Sequence, residues 1–237
     1  MKKEIPNLLT LGNLLAGCIG LWFVMQGDLV SASYCIFISL ICDFFDGFLA
    51  RALQAYSELG KQLDSLADMV SFGVLPAFIL FSLVEQSCGT QCTVGLFGFY
   101  KPFMVFTLVL MSAYRLAKFN IDTRQTDSFI GLPTPANSLF IAALPFVISA
   151  NIFGLGSIFQ SQWFLIIFPF VSAYLLMAEI PLFALKFKSF AWQNNQLRYL
   201  FLLCCLISLF AFGYLGINIS IVLYILFSIY NNLQTTK

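Results

Sequence analysis

The chain is predicted to be all-α: a polytopic membrane helix bundle of about eight transmembrane helices, forming a single domain over residues 1–237. Three observations predict this. Of the 237 residues, 60% are hydrophobic and only 10% charged, whereas a soluble domain carries about 25% charged residues. The apolar residues gather in runs near the roughly 20-residue length of a helical crossing. Counted as eight crossings, those runs also sort the basic residues strongly onto one side. The 28 phenylalanines suit lipid-facing surface. A net charge of +1 offers no basic footprint for nucleic acid. No repeat, low-complexity tract or linker divides the chain.

Helix 1 is expected over 8–26. Its Met-Lys-Lys start imitates a signal peptide, but Asn13 interrupts the apolar run and no cleavage site precedes the next span. Gly12, Ala16 and Gly20, four apart, predict a small-residue stripe for close helix packing. Helices 2, 3 and 4 are expected over 30–52, 64–84 and 98–119. Helix 5, over 134–152, has its start shaped by Pro133 and Pro135. Helix 6 is expected over 161–181. The last apolar run is too long for one crossing. Gly213, Gly216 and Asn218 mark a turn that divides it into 198–215 and 218–233.

This count places Lys2, Lys3, Arg51, Lys61, Arg115, Lys118, Arg124, Lys186, Lys188, Arg198 and Lys237 together, eleven of the twelve basic residues. Only Lys101 lies across the bilayer. Both termini are therefore expected in the cytoplasm. Cys88 and Cys92 then share an external loop, paired if the compartment is oxidising and free thiols otherwise. The seven cysteines form no zinc-type pair of pairs. Histidine is absent, which excludes Ser-His-Asp and Cys-His catalysis and histidine-ligated metal.

The most telling stretch is 42–73, which sets Asp43, Asp46, Asp64 and Asp68 in or beside apolar runs. A charged carboxylate near the centre of a membrane helix costs at least ~2.5–3.5 kcal/mol. Asp43 and Asp46 are three apart on helix 2; Asp64 and Asp68 are four apart on helix 3. Each pair is expected to share a face, and the antiparallel hairpin brings all four together near the cytoplasmic end. Oxygen ligands of this kind suit Mg²⁺, Mn²⁺ or Ca²⁺, and four carboxylates can bridge two ions about 3.5–4 Å apart for phosphoryl displacement. Gly47 and Gly60 leave room for a ligand to approach the backbone, and Arg51 offers a fork for phosphate. Burial and spacing alone leave three uses open: metal-dependent catalysis, an ion pathway, and structural pairing with Arg51, Lys61, Arg115 and Lys118.

Asp43-x2-Asp46-Gly47-x2-Ala50-Arg51-x8-Gly60-x3-Asp64-x3-Asp68 reproduces a motif of eight fixed positions in 26 residues. In this the chain resembles the CDP-alcohol phosphatidyltransferase family. IPNLLTLGNLLAG, DSLADMVSFGVLPA, YRLAKFN, FIGLPTPA and LLMAEIPLF resemble its phosphatidylserine synthase branch. Glu179, in the last of these, departs from the small or basic residue expected there.

The resemblance implies a dinuclear Mg²⁺ or Mn²⁺ site and transfer of a phosphatidyl group from CDP-diacylglycerol to L-serine, with release of CMP. Asp43, Asp46 and Asp64 would hold metal on the pyrophosphate. Asp68 would touch metal and act as general base. Gly47, Ala50, Arg51 and Gly60 would accommodate the nucleotide. Arg115 is expected at the serine carboxylate or as a positive-inside anchor, and Lys118 mainly as such an anchor. Asn120 and Ser71 could hydrogen-bond the amino acid. A homodimer among membrane lipids, in a bacterial cytoplasmic membrane with the site facing the cytoplasm, is also implied. The alternatives are another acceptor (glycerol phosphate, inositol phosphate or choline) and a cation transporter that uses the acids as a pathway.

Overall fold

In hydrocarbon each backbone N–H and C=O must find its partner within the chain, so apolar runs of this length become helices. The computed structural model describes residues 4–94, 99–122, 128–183 and 192–235. Its helices are α1 (Glu4–Met25), α2 (Leu29–Ala52), α3 (Glu58–Asp68), α4 (Leu75–Cys88), α5 (Thr107–Ile121), α6 (Thr134–Ala150), α7 (Leu155–Gln160), α8 (Gln162–Met177), α9 (Trp192–Phe212) and α10 (Tyr214–Thr235). A π-helical turn, Met69–Val74, joins α3 to α4 in one continuous column. Two short antiparallel ribbons complete the described chain: β1 (Thr93–Val94) with β2 (Phe99–Tyr100), and β3 (Ser128–Ile130) with β4 (Pro181–Phe183).

Among the described residues six helical segments are long and apolar enough to cross a membrane. α6 and α7 meet at a 117° bend and pass that test only together, while α8 has 16 residues. By length and composition the described residues give six spans, or seven with the bent pair, and α8 is a further, shorter apolar helix. The break after α6 has a local cause: Asn151 caps it in the left-handed conformation, and Phe153 and Gly154 also take positive φ.

The α3–α4 column is the axis of the bundle. Its apolar window is 67% buried, against 17–39% for the other five spans. Phe72, Leu75, Ile79 and Leu80 are fully enclosed, with Leu108, Ile141 and Leu165 in the same core. The column starts at Glu58, six residues before the expected boundary, because Ser57 caps it by accepting a hydrogen bond from Gly60 N at 3.0 Å. Asp28 caps α2 in the same way, accepting from Ser31 N at 2.9 Å. The Ser31 side chain, and after it this backbone N–H, hold the Asp28 carboxyl below its ordinary range.

Three further expectations are corrected. The small-residue stripe on α1 runs through Ala16, Gly17 and Gly20 rather than through Gly12. A Cβ on Gly17 would collide with Ser71, and one on Gly20 with Leu75, whereas at Gly12 it would meet only Cys42 Sγ at 3.6 Å. The helix expected over 161–181 stops at Met177. Ala178 is extended, and Pro181 disfavours helix at the residue before it, so 181–183 instead forms β4. Its register is Ser128↔Phe183, Phe129↔Leu182, Ile130↔Pro181, and Gly131 N donates to Ile180 O at 3.0 Å. The final turn sits at Gly213, with φ +57°. Gly216 lies inside α10, pressed on the Ser208 backbone, and Asn218 donates to Phe140 O at 2.9 Å.

Pro133 caps α6 and Pro135 lies in its first turn, as expected. Cys88 and Cys92 are joined by a disulfide. Lys2, Lys3, Arg124, Lys186, Lys188 and Lys237 lie outside the described residues.

Overpacking at a tight helix contact costs about 1–3 kcal/mol. Gly17→Ala should therefore lower the thermal midpoint in detergent, and Gly12→Ala should leave it unchanged. Size-exclusion chromatography after a temperature ramp reads both.

Candidate active site

α1 packs against both α2 and α3, and the structure brings Asp43 of α2 to Asp64 and Asp68 of α3. Asp43, Asp64 and Asp68 each present a carboxylate oxygen within 4.8 Å of the others. At an effective dielectric near 20, two unit charges at that distance repel by roughly 3–4 kcal/mol. A cluster of this charge calls for a cation. The donor set is all oxygen, and Asp64 Oδ1 is buried without a hydrogen-bond partner. Both observations fit a hard divalent ion.

Asp46 is not in this trio. A three-residue step along a helix turns the side chain about 60° short of a full revolution, and Thr10 fixes where it points. Thr10 Oγ1 donates to Asp46 Oδ2 at 2.6 Å. Asp46 thus faces a neighbouring cavity of about 540 Å³. Pro6, Asn7 and Thr10 of α1 form one wall of that cavity and Gly47 and Ala50 of α2 another, while Gly60, Lys61 and Asp64 of α3 close it. Gly47 is open: a Cβ there would lie 3.8 Å from Arg51 Nη1. Gly60 is tight, its would-be Cβ being 3.0 Å from Asn7 Oδ1. Ala50, Gly47 and Gly60 therefore line one space. Arg51 is exposed and lies over Gly47, outside the lining of the cavity.

Asp68 ends α3 at the start of the π turn. Asn13 Nδ2 donates to its Oδ1 at 3.1 Å. Ser71, inside the wide turn, donates to the Asn13 backbone oxygen at 3.0 Å, and Ser39 of α2 donates to the same oxygen at 3.1 Å. Ser71 is thus committed to helix packing.

On the other side of Asp68 stands Arg115. It is 7% exposed, donates from Nη1 to Thr134 Oγ1 at 2.9 Å, and keeps a buried Nε without a hydrogen-bond partner. Its charge and that of Asp68 act on one another. Ser112, one turn earlier, is fully buried, and its hydroxyl too has no partner. Lys118 pairs with Glu179 at 3.6 Å. Asn120 is engaged with α3, donating to Ser65 Oγ and accepting from Lys61 Nζ, both at 2.8 Å.

A family model described as CDP-alcohol phosphatidyltransferase matches residues 3–175. The chain belongs to the CDP-alcohol phosphatidyltransferase family. It is similar to the CDP-diacylglycerol–serine O-phosphatidyltransferase of Bacillus subtilis strain 168, 32% identical over 153 residues, covering 65% of this chain and 81% of that one. The enzyme of the same name from Helicobacter pylori strain J99 is 35% identical over 138 residues, covering 57% and 54%. The archaetidylserine synthase of Methanothermobacter thermautotrophicus is 30% identical over 141 residues, covering 59% and 56%. The match thus spans about half the length of the last two relatives.

Within this family member, the carboxylate geometry draws on residues that the motif does not contain. Thr10 and Asn13 were missed because a polar residue in an apolar helix reads as an interruption. Their three-residue spacing, continued back to Asn7, was the available signal. Glu179, the departure in LLMAEIPLF, has a local partner in Lys118.

That ion pair is partly exposed, with side-chain exposures of 34% and 69%. A double-mutant cycle on Lys118→Ala and Glu179→Ala, read by thermal denaturation, should give a coupling of about 0.2–1 kcal/mol.

Proposed function

We propose that this chain transfers the phosphatidyl group of CDP-diacylglycerol to the hydroxyl of L-serine, forming phosphatidylserine and CMP. The observation that carries this reading is the Asp43–Asp64–Asp68 trio beside the cavity lined by Asp46, Gly47, Ala50 and Gly60. It joins a cation-demanding cluster to a space of nucleotide size at the family's motif positions. The relatives' names supply the acceptor.

In this reading Asp43, Asp64 and Asp68, with Asp46 beside them, would hold one or two divalent ions, Mg²⁺ or Mn²⁺. Bound ions supply positive charge to the pyrophosphate oxygens and the departing CMP. Gly47, Ala50 and Gly60 seat the nucleotide, and Arg51 meets it from the rim. Asp68 accepts the proton of the serine hydroxyl as its oxygen bonds to the phosphatidyl phosphorus. The bond from that phosphorus to the CMP oxygen breaks, and CMP leaves with the electron pair. Asp68, fixed through Oδ1 by Asn13, retains Oδ2 for the proton.

Arg115 takes the serine carboxylate. Its buried Nε and the buried Ser112 hydroxyl, one turn earlier on α5, are unspent donors. The alternative of a phosphorylated acceptor calls for a second cation. Lys118, the nearest basic side chain on α5, is committed to Glu179. Among the described residues this favours an acceptor with a single negative group. Ser71 and Asn120 act here through packing.

The reading extends to one domain of eight crossings, with α6 and α8 as the short ones, both termini cytoplasmic, and a homodimer in a bacterial cytoplasmic membrane. Support for the orientation comes from the α3–α4 column. Asp68 and Cys88 are 20 residues apart along it, about 30 Å at 1.5 Å per residue. A disulfide at one end suits an oxidising compartment and leaves the carboxylates at the other.

Membranes given CDP-diacylglycerol and radiolabelled serine should release CMP and form labelled phosphatidylserine. Chelation should abolish both, and Mn²⁺ or Mg²⁺ should restore them. Asp68→Asn should lower kcat more than it weakens CDP-diacylglycerol binding. Full turnover without metal would refute the reading.

A charge-assisted bidentate contact contributes on the order of 1.5–3 kcal/mol. Arg115→Ala should raise the KM for serine about tenfold to a hundredfold, with little change for CDP-diacylglycerol, and Arg115→Lys should recover only part of the loss. An inserted Arg115→Ala protein with the wild-type serine KM would assign Arg115 to anchoring.

A further inference from the structure

α1 contributes no residue to the eight-position motif, yet it touches both ends of the acidic site. Thr10 and Asn13 stand one turn apart on it. Thr10 is 4% exposed and Asn13 fully buried. A hydroxyl has one proton to give. Thr10 Oγ1 lies 3.2 Å from Pro6 O and 2.6 Å from Asp46 Oδ2, so the shorter bond, to the carboxylate, takes it. Asn13 spends its Nδ2 on Asp68, while its Oδ1 is buried with no hydrogen-bond partner. An unpaired amide oxygen in a bundle interior is a cost. A residue that served packing alone would be better replaced by leucine. The amide is retained for its nitrogen.

Both donors are neutral. A lysine or arginine at either position would hold the carboxylate equally well, but it would cancel the negative charge that draws a cation to the site. A hydroxyl and an amide orient the two acids and leave that charge in place. The level of α1 is also pinned: its Asn13 carbonyl takes bonds from Ser39 of α2 and Ser71 of the π turn. Gly17 and Gly20 admit the close approach that these bonds need.

We propose that α1 is a positioning helix with two separable tasks. Thr10 orients Asp46 for the nucleotide and its metal, and Asn13 orients Asp68 for proton transfer. This rests on the roles given to Asp46 and Asp68 above.

The test uses the full-length protein in detergent, with Mn²⁺ binding followed by the electron paramagnetic resonance of free Mn²⁺ alongside steady-state kinetics. Thr10→Val keeps shape and loses the hydroxyl. It should weaken Mn²⁺ binding and raise the CDP-diacylglycerol KM, each by about tenfold, with kcat within about threefold of wild type, and Thr10→Ser should restore both. Asn13→Leu should lower kcat by about tenfold to a hundredfold, with the KM values for CDP-diacylglycerol and serine within about threefold. Asn13→Ala carries the same test if the leucine variant does not insert.

The crossed pattern is decisive, because two packing residues one turn apart would not separate CDP-diacylglycerol binding from turnover. The same losses in both variants, or wild-type behaviour in either, would overturn the proposal. Asp68→Asn serves as the reference. If it keeps wild-type kcat, the base assignment itself fails. If it loses turnover while Asn13→Leu does not, only the positioning role fails.

Discussion

The gathering of Asp43, Asp64 and Asp68 at one point is the constraint around which this bundle is arranged. Three carboxylates within 4.8 Å of one another, in a helical interior, would drive an ordinary hairpin apart. The chain keeps them together through backbone rigidity and neutral donors. α1 lies close against α2 and the π turn because Gly17 and Gly20 present no side chain there. Two serine hydroxyls then reach its Asn13 carbonyl, and its own polar side chains reach the acids. The geometry of the cluster is fixed from outside by groups that carry no charge of their own.

The surroundings divide into two halves with different chemistry. On the α1 side a wide cavity is bordered by glycine and alanine, and the polar groups that hold the acids are uncharged. On the α5 side space is scarce and a single guanidinium is sealed behind Thr134. Asp68 stands between the halves, bonded toward α1 and electrostatically coupled to Arg115. The π turn that follows it displaces the α4 register relative to α3. The carboxylate face and the packing face of one column can therefore point in different directions.

The hairpin, its acids and most helix positions were legible in the sequence because each rests on a local pattern: apolar runs, i to i+3 or i+4 spacing, and proline at a helix start. The features that escaped depend on partners distant in the chain. Asp46 leaves the trio because of Thr10, 36 residues earlier. The close stripe on α1 shifts to Gly17 because of what Ser71 needs. α8 ends early because its continuation pairs with β3, some 50 residues back. The number of crossings stayed ambiguous because hydropathy cannot register a sharp bend such as the one after Asn151.

The β3–β4 ribbon has a consequence for how the protein is made. Asp68 emerges early, but the ribbon that closes behind Thr134 needs Phe183, 115 residues later. At about 5–20 residues per second that interval is on the order of ten seconds. Throughout it the acidic hairpin sits in the bilayer as an unfinished half, with its counter-charge from α5 not yet locked in place. Protonation or bound cations can offset the charge of those carboxylates meanwhile. Biogenesis therefore asks for a protected acidic intermediate before there is an enzyme to fold.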